Sequence, residues 1–481
     1  MMNRRTVASI TGLVVLAGTL SVAGTATASS APPAASPATA SSVQLGAAAA
    51  LPSIAIPSAY TPARNYVMPQ GSAFSFPNAR PADRVAIRNR VLGTIQGVWG
   101  SPRDRYRLPT GTGQIRIATW SFNDMAIAKA LLAAHARGVS VQIMAAASRN
   151  KKEKAWKLLR RKLGGSYYKA GVPGSSDKVS FARQCRGACR GRGGTPHSKY
   201  FLFNNVGSRH VQNVVMQTSM NLTKMGFVGQ WNQAQTWYSP ASYNHFLGIF
   251  RETRIGAPQA APYRRYTSGA VSDIFFPKPG TSATTDPVMQ VLNPTQCTGS
   301  SAGGNGRTQI RIIQYAFYDT RGIWLAKKLR GLWNAGCDIK IIYSLSTRPI
   351  LAILRSGSGR GAIPMKQSVI TNRRREIVKY NHSKWMTIAG NWNGSRAAYI
   401  TFSGASNWST SAFYNDEQMQ QISSYGATRA HNLNFNRTWA QRSSHNPGYG
   451  IKGSEGRLLP PGYSNTIPWG QGAFKYLNPN G

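Results

Sequence analysis

Of 481 residues, 58 are Lys or Arg and 14 are Asp or Glu, a formal net charge of +44. The length suffices for two or three domains. So few acids exclude paired-carboxylate glycosidase chemistry and acidic Ca²⁺ or Mg²⁺ cages, which need clustered Asp and Glu, and self-repulsion at this charge points to a polyanionic partner or surface: DNA, RNA, anionic lipid or wall teichoic acid.

Along the chain, residues 1–28 read as a secretory signal peptide. Arg4 and Arg5 are followed by a largely apolar Val7–Ala23 stretch and a small-residue site at Ala26-Thr27-Ala28. Residues 29–58, rich in Ala, Pro and Ser, read as a disordered linker. No later stretch is long and apolar enough to span a bilayer. The expectation is a secreted protein, a monomer, with disulfides among Cys185, Cys189, Cys297 and Cys337. The simplest pairing is Cys185–Cys189 with Cys297–Cys337, although four cysteines allow three pairings.

From residue 59 the chain repeats itself. Phe76-Pro77 matches Phe276-Pro277, and Gln114-Ile115-Arg116-Ile117 matches Gln309-Ile310-Arg311-Ile312. Each of the latter precedes a helical stretch, Ala126 to Arg137 or Ile323 to Ala335, stopped by Gly138 or Gly336. Strand patterns follow at Val139–Ile143 and Asp338–Ile342. This βαβ order predicts an α/β fold with a sheet flanked by helices. The expected division is a first repeat over 59–265, a second over 266–440, and a tail over 441–481 packing on the second.

Each repeat then reaches a His-Ser-Lys tripeptide, His197-Ser198-Lys199 and His382-Ser383-Lys384, and an apolar run. An Asn follows 24 residues after the first His (Asn221) and 25 after the second (Asn407). On a strand, side chains at i and i+2 share a face, so two such strands side by side would gather two imidazoles and two ammonium groups. That set suits a phosphodiester. One His attacks, the other protonates the leaving oxygen, and Lys199 and Lys384 hold the non-bridging oxygens. The lysines supply the positive charge, so neither a metal nor another cofactor is expected.

The doubled motif resembles the His-x-Lys-(x)4-Asp signature of the phospholipase D superfamily and its following Gly-Ser-x-Asn element. Both copies depart from it: the Asp position holds Asn204 and Ala389, and the Gly-Ser pair reads Thr218-Ser219 and Gly404-Ala405. The resemblance implies two α/β/α sandwich repeats packed about a pseudo-two-fold axis, with one active site between them. It implies His197 as nucleophile and His382 as general acid, with Asn221, Asn407 and, more weakly, Ser219 and Ser406 near the phosphoryl group. In the family, the carboxylate that orients the nucleophile comes from the opposite half. Here Asn415-Asp416-Glu417 offers one to His197, while the stretch Asn232-Gln233-Ala234-Gln235 offers His382 an amide at best. Asp416 and Glu417 are both open for that role.

Cations crowd the approach to both histidines. Arg183, Arg186, Arg190 and Arg192 precede the first, and Arg373, Arg374, Arg375 and Lys379 the second. They are the expected polyanion contacts. The implied function is a secreted phospholipase D-like phosphodiesterase, hydrolysing a phospholipid or transferring its phosphatidyl group through a phosphohistidine. The alternatives are a metal-independent nuclease of the same superfamily and a non-catalytic polyanion-binding cell-wall protein.

Overall fold

The computed structural model describes residues 58–62, 65–374, 376–445 and 474–477. The expected signal peptide, the Ala/Pro/Ser-rich segment up to residue 57, Arg375 and most of the 441–481 tail lie outside the described residues. Among those described, no helix is long and apolar enough to cross a membrane.

The repeated sequence patterns become repeated strands. The first half has β1 (Gly71–Ser75), β2 (Gln114–Thr119), β3 (Ser140–Ala146), β4 (Phe181–Cys185), β5 (Tyr200–Asn204), β6 (Val214–Thr218) and β7 (Gln230–Tyr238). They pair in the order β4-β3-β2-β5-β6-β7-β1, parallel through β4-β3-β2 and antiparallel beyond. The second half has β8 (Arg264–Ser268), β9 (Val271–Phe275), β10 (Thr295–Gln296), β11 (Gln309–Phe317), β12 (Asp338–Ser346), β13 (Met365–Thr371), β14 (Ile377–Asn381), β15 (Lys384–Trp392), β16 (Ser395–Gly404), β17 (Gln418–Ser423) and β18 (Ser444–His445). Their order, β13-β12-β11-β15-β16-β17-β9, matches the first sheet strand for strand. β8 pairs with β9 as a hairpin, so the division expected at 265/266 falls inside a strand of the second sheet.

Helices cover both faces of each sheet, because side chains from alternate strand positions are apolar on both sides. In the first half, Ile115, Ile117, Phe201 and Phe203 pack with Ile127, Leu131, Trp156 and Leu159 from the helices on one face. On the other face Tyr200, Leu202 and Val215 meet Tyr243, Phe246 and Phe250 of the helix Pro240–Ile255. The second half repeats this, with Ile310, Ile312, Leu325 and Leu329 on one side and Ile313, Trp385 and Phe435 on the other. The expected helix stop is present: Gly138 has φ +87°, and a Cβ there would lie 1.8 Å from the Ser101 carbonyl oxygen.

The halves also exchange cover. Phe246 of the first half meets Phe275 of β9 at 4.7 Å between ring centres. His431, on the helix Tyr425–Ala440 of the second half, meets Phe74 of β1 at 5.2 Å. Of the tail, β18 pairs with β13, and Phe474 and Leu477 are buried with Tyr315, Leu345 and Tyr380 of the second half.

Candidate active site

Two reciprocal ladders bring the halves together at the His-x-Lys tripeptides. The His197 N–H donates to the Asp416 carbonyl at 2.9 Å, and the Asp416 N–H donates to Thr195 O at 3.0 Å. In the counterpart, Tyr380-Asn381 pairs parallel with Gln230-Trp231, and the His382 N–H donates to the Trp231 carbonyl at 2.8 Å. The first crossing is close. Gly194, at φ +61°, would place a Cβ 2.1 Å from the Tyr414 carbonyl oxygen, so the chain needs glycine there. The sequence suggested two His-x-Lys strands side by side. Instead β5 and β15 stay in separate sheets, and each tripeptide pairs with the opposite half just ahead of β17 or at the start of β7.

The histidines sit in unequal surroundings. His197 and Glu417 are both buried, and the His197 Nδ1–H donates to both carboxylate oxygens at 2.8 Å. At the corresponding place the His382 Nδ1–H donates to Asn232 Oδ1 at 3.1 Å. Asn232 is held in that orientation because its amide N–H donates to Gly226 O at 3.0 Å and Ser219 Oγ donates to its Oδ1 at 2.8 Å. Of the two acids left open by the sequence, Glu417 is the histidine's partner. The Asp416 carboxylate turns the other way and accepts the N–H groups of Cys189 at 2.5 Å and Arg190 at 3.1 Å. Burial pushes that carboxyl up to about 7, against the pull of those donors and of Arg190.

The lysines and asparagines complete the cluster. Lys199 and Lys384 are fully buried, and their Nζ groups donate to the carbonyls of His197 at 2.6 Å and His382 at 2.8 Å. Asn221 and Asn407, after β6 and β16, are buried too. Arg321 steadies the second turn: its guanidinium donates to Asn407 O at 2.8 Å and Ser406 Oγ at 3.2 Å while paired with buried Asp286 at 3.0 Å. Desolvation brings His197 down to about 4 although Glu417 pulls the other way, and brings Lys199 down to about 7. Burial, then the two lysines, hold His382 well below the usual imidazole range. Lys384 is also held low, by burial and then Lys199. The cluster gathers more cationic groups than its one carboxylate can answer. It is arranged to receive an oxyanion.

Other sequence expectations divide. Both disulfides are present, Cys185–Cys189 and Cys297–Cys337. Arg186, Arg192, Arg373 and Arg374 are exposed, and Lys379 is half-buried. Arg190 is not a polyanion contact: it is 1% exposed and spends its guanidinium on Glu252 at 2.8 Å and the Phe276 carbonyl at 2.8 Å. Arg183 also turns inward, to Arg254 O at 2.8 Å and over the Tyr167 ring. The amide expected for His382 from the stretch beginning at Asn232 is Asn232 itself; sequence reasoning missed Arg321 and Asp286, and it misplaced the first-half stretch equivalent to 415–417. That stretch is Gln230-Trp231-Asn232, displaced by the same 185 residues that separate the histidines. The histidine spacing itself was the available signal.

Residues 108–254 match the family described as cardiolipin synthase, PLD-like domain. No curated protein matches the sequence. Among solved structures, phosphatidylserine synthase of Haemophilus influenzae Rd KW20 is 10% identical, covers 80% of this chain and 89% of its own, and has a TM-score of 0.49. Polyphosphate kinase of Porphyromonas gingivalis is 13% identical over 68% of this chain with a TM-score of 0.45, and the chain spans 46% of that enzyme. Nuc of Salmonella typhimurium, a phospholipase D family member, is 18% identical over 36% of this chain and 94% of its own, with a TM-score of 0.24. Residues 108–254 thus carry a PLD-like domain, and the second half repeats the strand order and the His-x-Lys element of the first.

Proposed function

We propose that the protein is a phosphodiesterase that works through a phosphohistidine on His197, with His382 as general acid. The 2.8 Å contact between His197 and Glu417 carries this assignment. It fixes the tautomer with Nδ1 protonated, and desolvation brings the ring down to about 4, so Nε2 carries no proton at neutral pH. As the N–P bond forms, the ring becomes cationic and the Glu417 carboxylate compensates. The ester O–P bond breaks, and the leaving oxygen takes a proton from His382. Water then attacks phosphorus, the N–P bond breaks, and His382 takes the water's proton. His382 must hold a proton for the first step. An anionic substrate offsets the lysine charges that hold its pKa down, so binding itself favours protonation.

The first reading for the substrate is a phospholipid, supported by the description of the matched family. The second is a nucleic acid, supported by the excess of exposed cations. Two disulfides support an exported protein, since such bonds persist in oxidising compartments. The test is product analysis on phosphatidylcholine and on plasmid DNA with EDTA present. Head-group release, or its exchange for an added alcohol, supports the lipid reading; nicked plasmid supports the nuclease. Binding of polyanions without turnover of either would leave the non-catalytic wall-protein reading. Activity lost in EDTA and restored only by a divalent ion would overturn the histidine mechanism.

A further inference from the structure

Two glutamines outside every motif hold the lysines of the site, each from the opposite half. Gln418 Oε1 accepts the Lys199 N–H at 2.9 Å, and Gln418 Nε2 donates to the Lys199 carbonyl at 3.0 Å. Gln233 Oε1 accepts the Lys384 N–H at 3.2 Å, and Gln233 Nε2 donates to the Lys384 carbonyl at 3.3 Å. The same amide groups reach the strand end before each asparagine turn, Thr218 O at 3.4 Å in one case and Gly404 O at 2.9 Å in the other. Both glutamines are buried, and 185 residues separate them, the spacing of the two histidines.

We propose that Gln233 and Gln418 are positioning residues that set the direction of the two phosphate-holding lysines across the dyad, so that neither half orients its own lysine alone. The proposal rests on the phosphodiesterase reading above. Two bonds to one residue's backbone fix its orientation as well as its place, and that orientation sets where Cβ and the chain beyond it point. Each Nζ then folds back onto the carbonyl two residues earlier, at 2.6 Å for Lys199 and 2.8 Å for Lys384. A primary amide offers donor and acceptor on one flat group, which is what a backbone N–H and C=O demand together. At Lys199 an apolar side chain of equal size would fill the space and leave the buried N–H without that acceptor, while the carbonyl would keep only the Thr218 N–H, at 3.0 Å.

The test uses the full chain with Gln418→Met or Gln233→Met, which keep volume and remove both bonds, and Gln418→Glu. Tungstate binding is followed by calorimetry, and turnover with a small soluble aryl phosphodiester. The Met variants should bind tungstate ~10-fold more weakly or worse, with a comparable loss in kcat/KM. Gln418→Glu supplies donor and acceptor only while protonated, so its activity relative to wild type should fall as pH rises. Folded Met variants with wild-type tungstate affinity overturn the proposal. If the Met variants do not fold, a flat Gln418→Glu to wild-type ratio across pH overturns it. A wild-type protein that neither binds tungstate nor turns over any phosphodiester overturns the phosphodiesterase reading as well, so the two failures are distinguishable.

Discussion

At the scale of single residues, the proposed chemistry turns on one asymmetry: a carboxylate behind His197 and an amide behind His382. Moving the carboxylate should therefore move the nucleophile. Glu417→Gln keeps a hydrogen bond but loses the charge that compensates a cationic ring, and turnover should fall ~10²–10⁴-fold. The exchange Glu417→Asn with Asn232→Glu should shift labelled phosphate from His197 to His382, as mapped by mass spectrometry of trapped enzyme. Phosphate that stays on His197 in the exchanged protein would show that the partner does not choose the nucleophile. The lysines give a pH prediction. Lys199 is lowered from its ordinary 10.5 to about 7. Between those values the unfolded chain binds more protons than the native one, so this group makes stability rise with pH across that window. A bound anion favours the charged lysine, so tungstate should bind with proton uptake and progressively more weakly above pH 7. Calorimetry in buffers of different ionisation enthalpy checks both; affinity unchanged up to pH 9 would place the countercharge elsewhere. The histidines and lysines were legible because they stand in a doubled motif; the carboxylate was narrowed only to Asp416 or Glu417, and the fold turns Glu417 to the ring. Gln233 and Gln418 were not legible, since a side-chain amide in a polar run looks like any other until the fold shows what it faces.

At the scale of elements, the helix Asp319–Asn334 does more than cover the second sheet. Its Arg321 is buried against Asp286, sits over the Phe413 ring at 4.3 Å, and holds the Ser406-Asn407 turn. Asp286 also accepts the indole N–H of Trp324 at 3.0 Å. Removing one member of a buried pair leaves an uncompensated charge, so Asp286→Ala should cost about 3–5 kcal/mol in a urea unfolding experiment. Replacing the pair by Asp286→Leu with Arg321→Met should recover much of that stability, because the apolar pair needs no solvation. Activity should not recover with it, because the Asn407 turn no longer has its tether. Recovery of both would make Arg321 structural only. This network had no sequence signature: Asp286 reads as a helix cap before Pro287, a role it also fills by accepting the Val288 N–H at 2.9 Å. The strand–helix–strand succession, by contrast, was readable from hydrophobic period and repeat. The β8–β9 hairpin was missed as the start of the second sheet, since Arg264-Arg265-Tyr266-Thr267-Ser268 lacks an apolar face and pairs by its backbone.

At the scale of the whole molecule, charge is the unspent feature. Among the described residues, nine of the 14 acids already pair with a basic side chain: Asp177 with Arg251 and Arg254, Glu252 with Arg190 and Arg264, Asp338 with Arg311, Asp286 with Arg321, Glu417 with His197, and Asp83, Asp124, Asp273 and Glu376 with partners of their own. The net +44 therefore falls largely on exposed side chains with no acid to answer them. One concentration is the helix Lys154–Leu163 and the turn before it. Every Lys and Arg from 151 to 162 is exposed there, while Ala155, Trp156, Leu159 and Leu163 bury the opposite side. The charge is thus displayed without cost to the core. If this ridge tracks a phosphate backbone, Lys154→Glu with Lys157→Glu and Arg161→Glu should weaken binding to duplex DNA and flatten its salt dependence, by ~0.9 in log–log slope for each phosphate the ridge no longer neutralises. Turnover of a small soluble phosphodiester should stay at the wild-type level, because the lysines proposed to hold the reacting group, Lys199 and Lys384, are buried and unchanged. An unchanged salt slope would remove the ridge from nucleic-acid binding. Weakened binding to anionic vesicles in the same variant, by roughly 1 kcal/mol per reversed cation, would then assign the charge to a lipid or wall surface and favour the phospholipid reading.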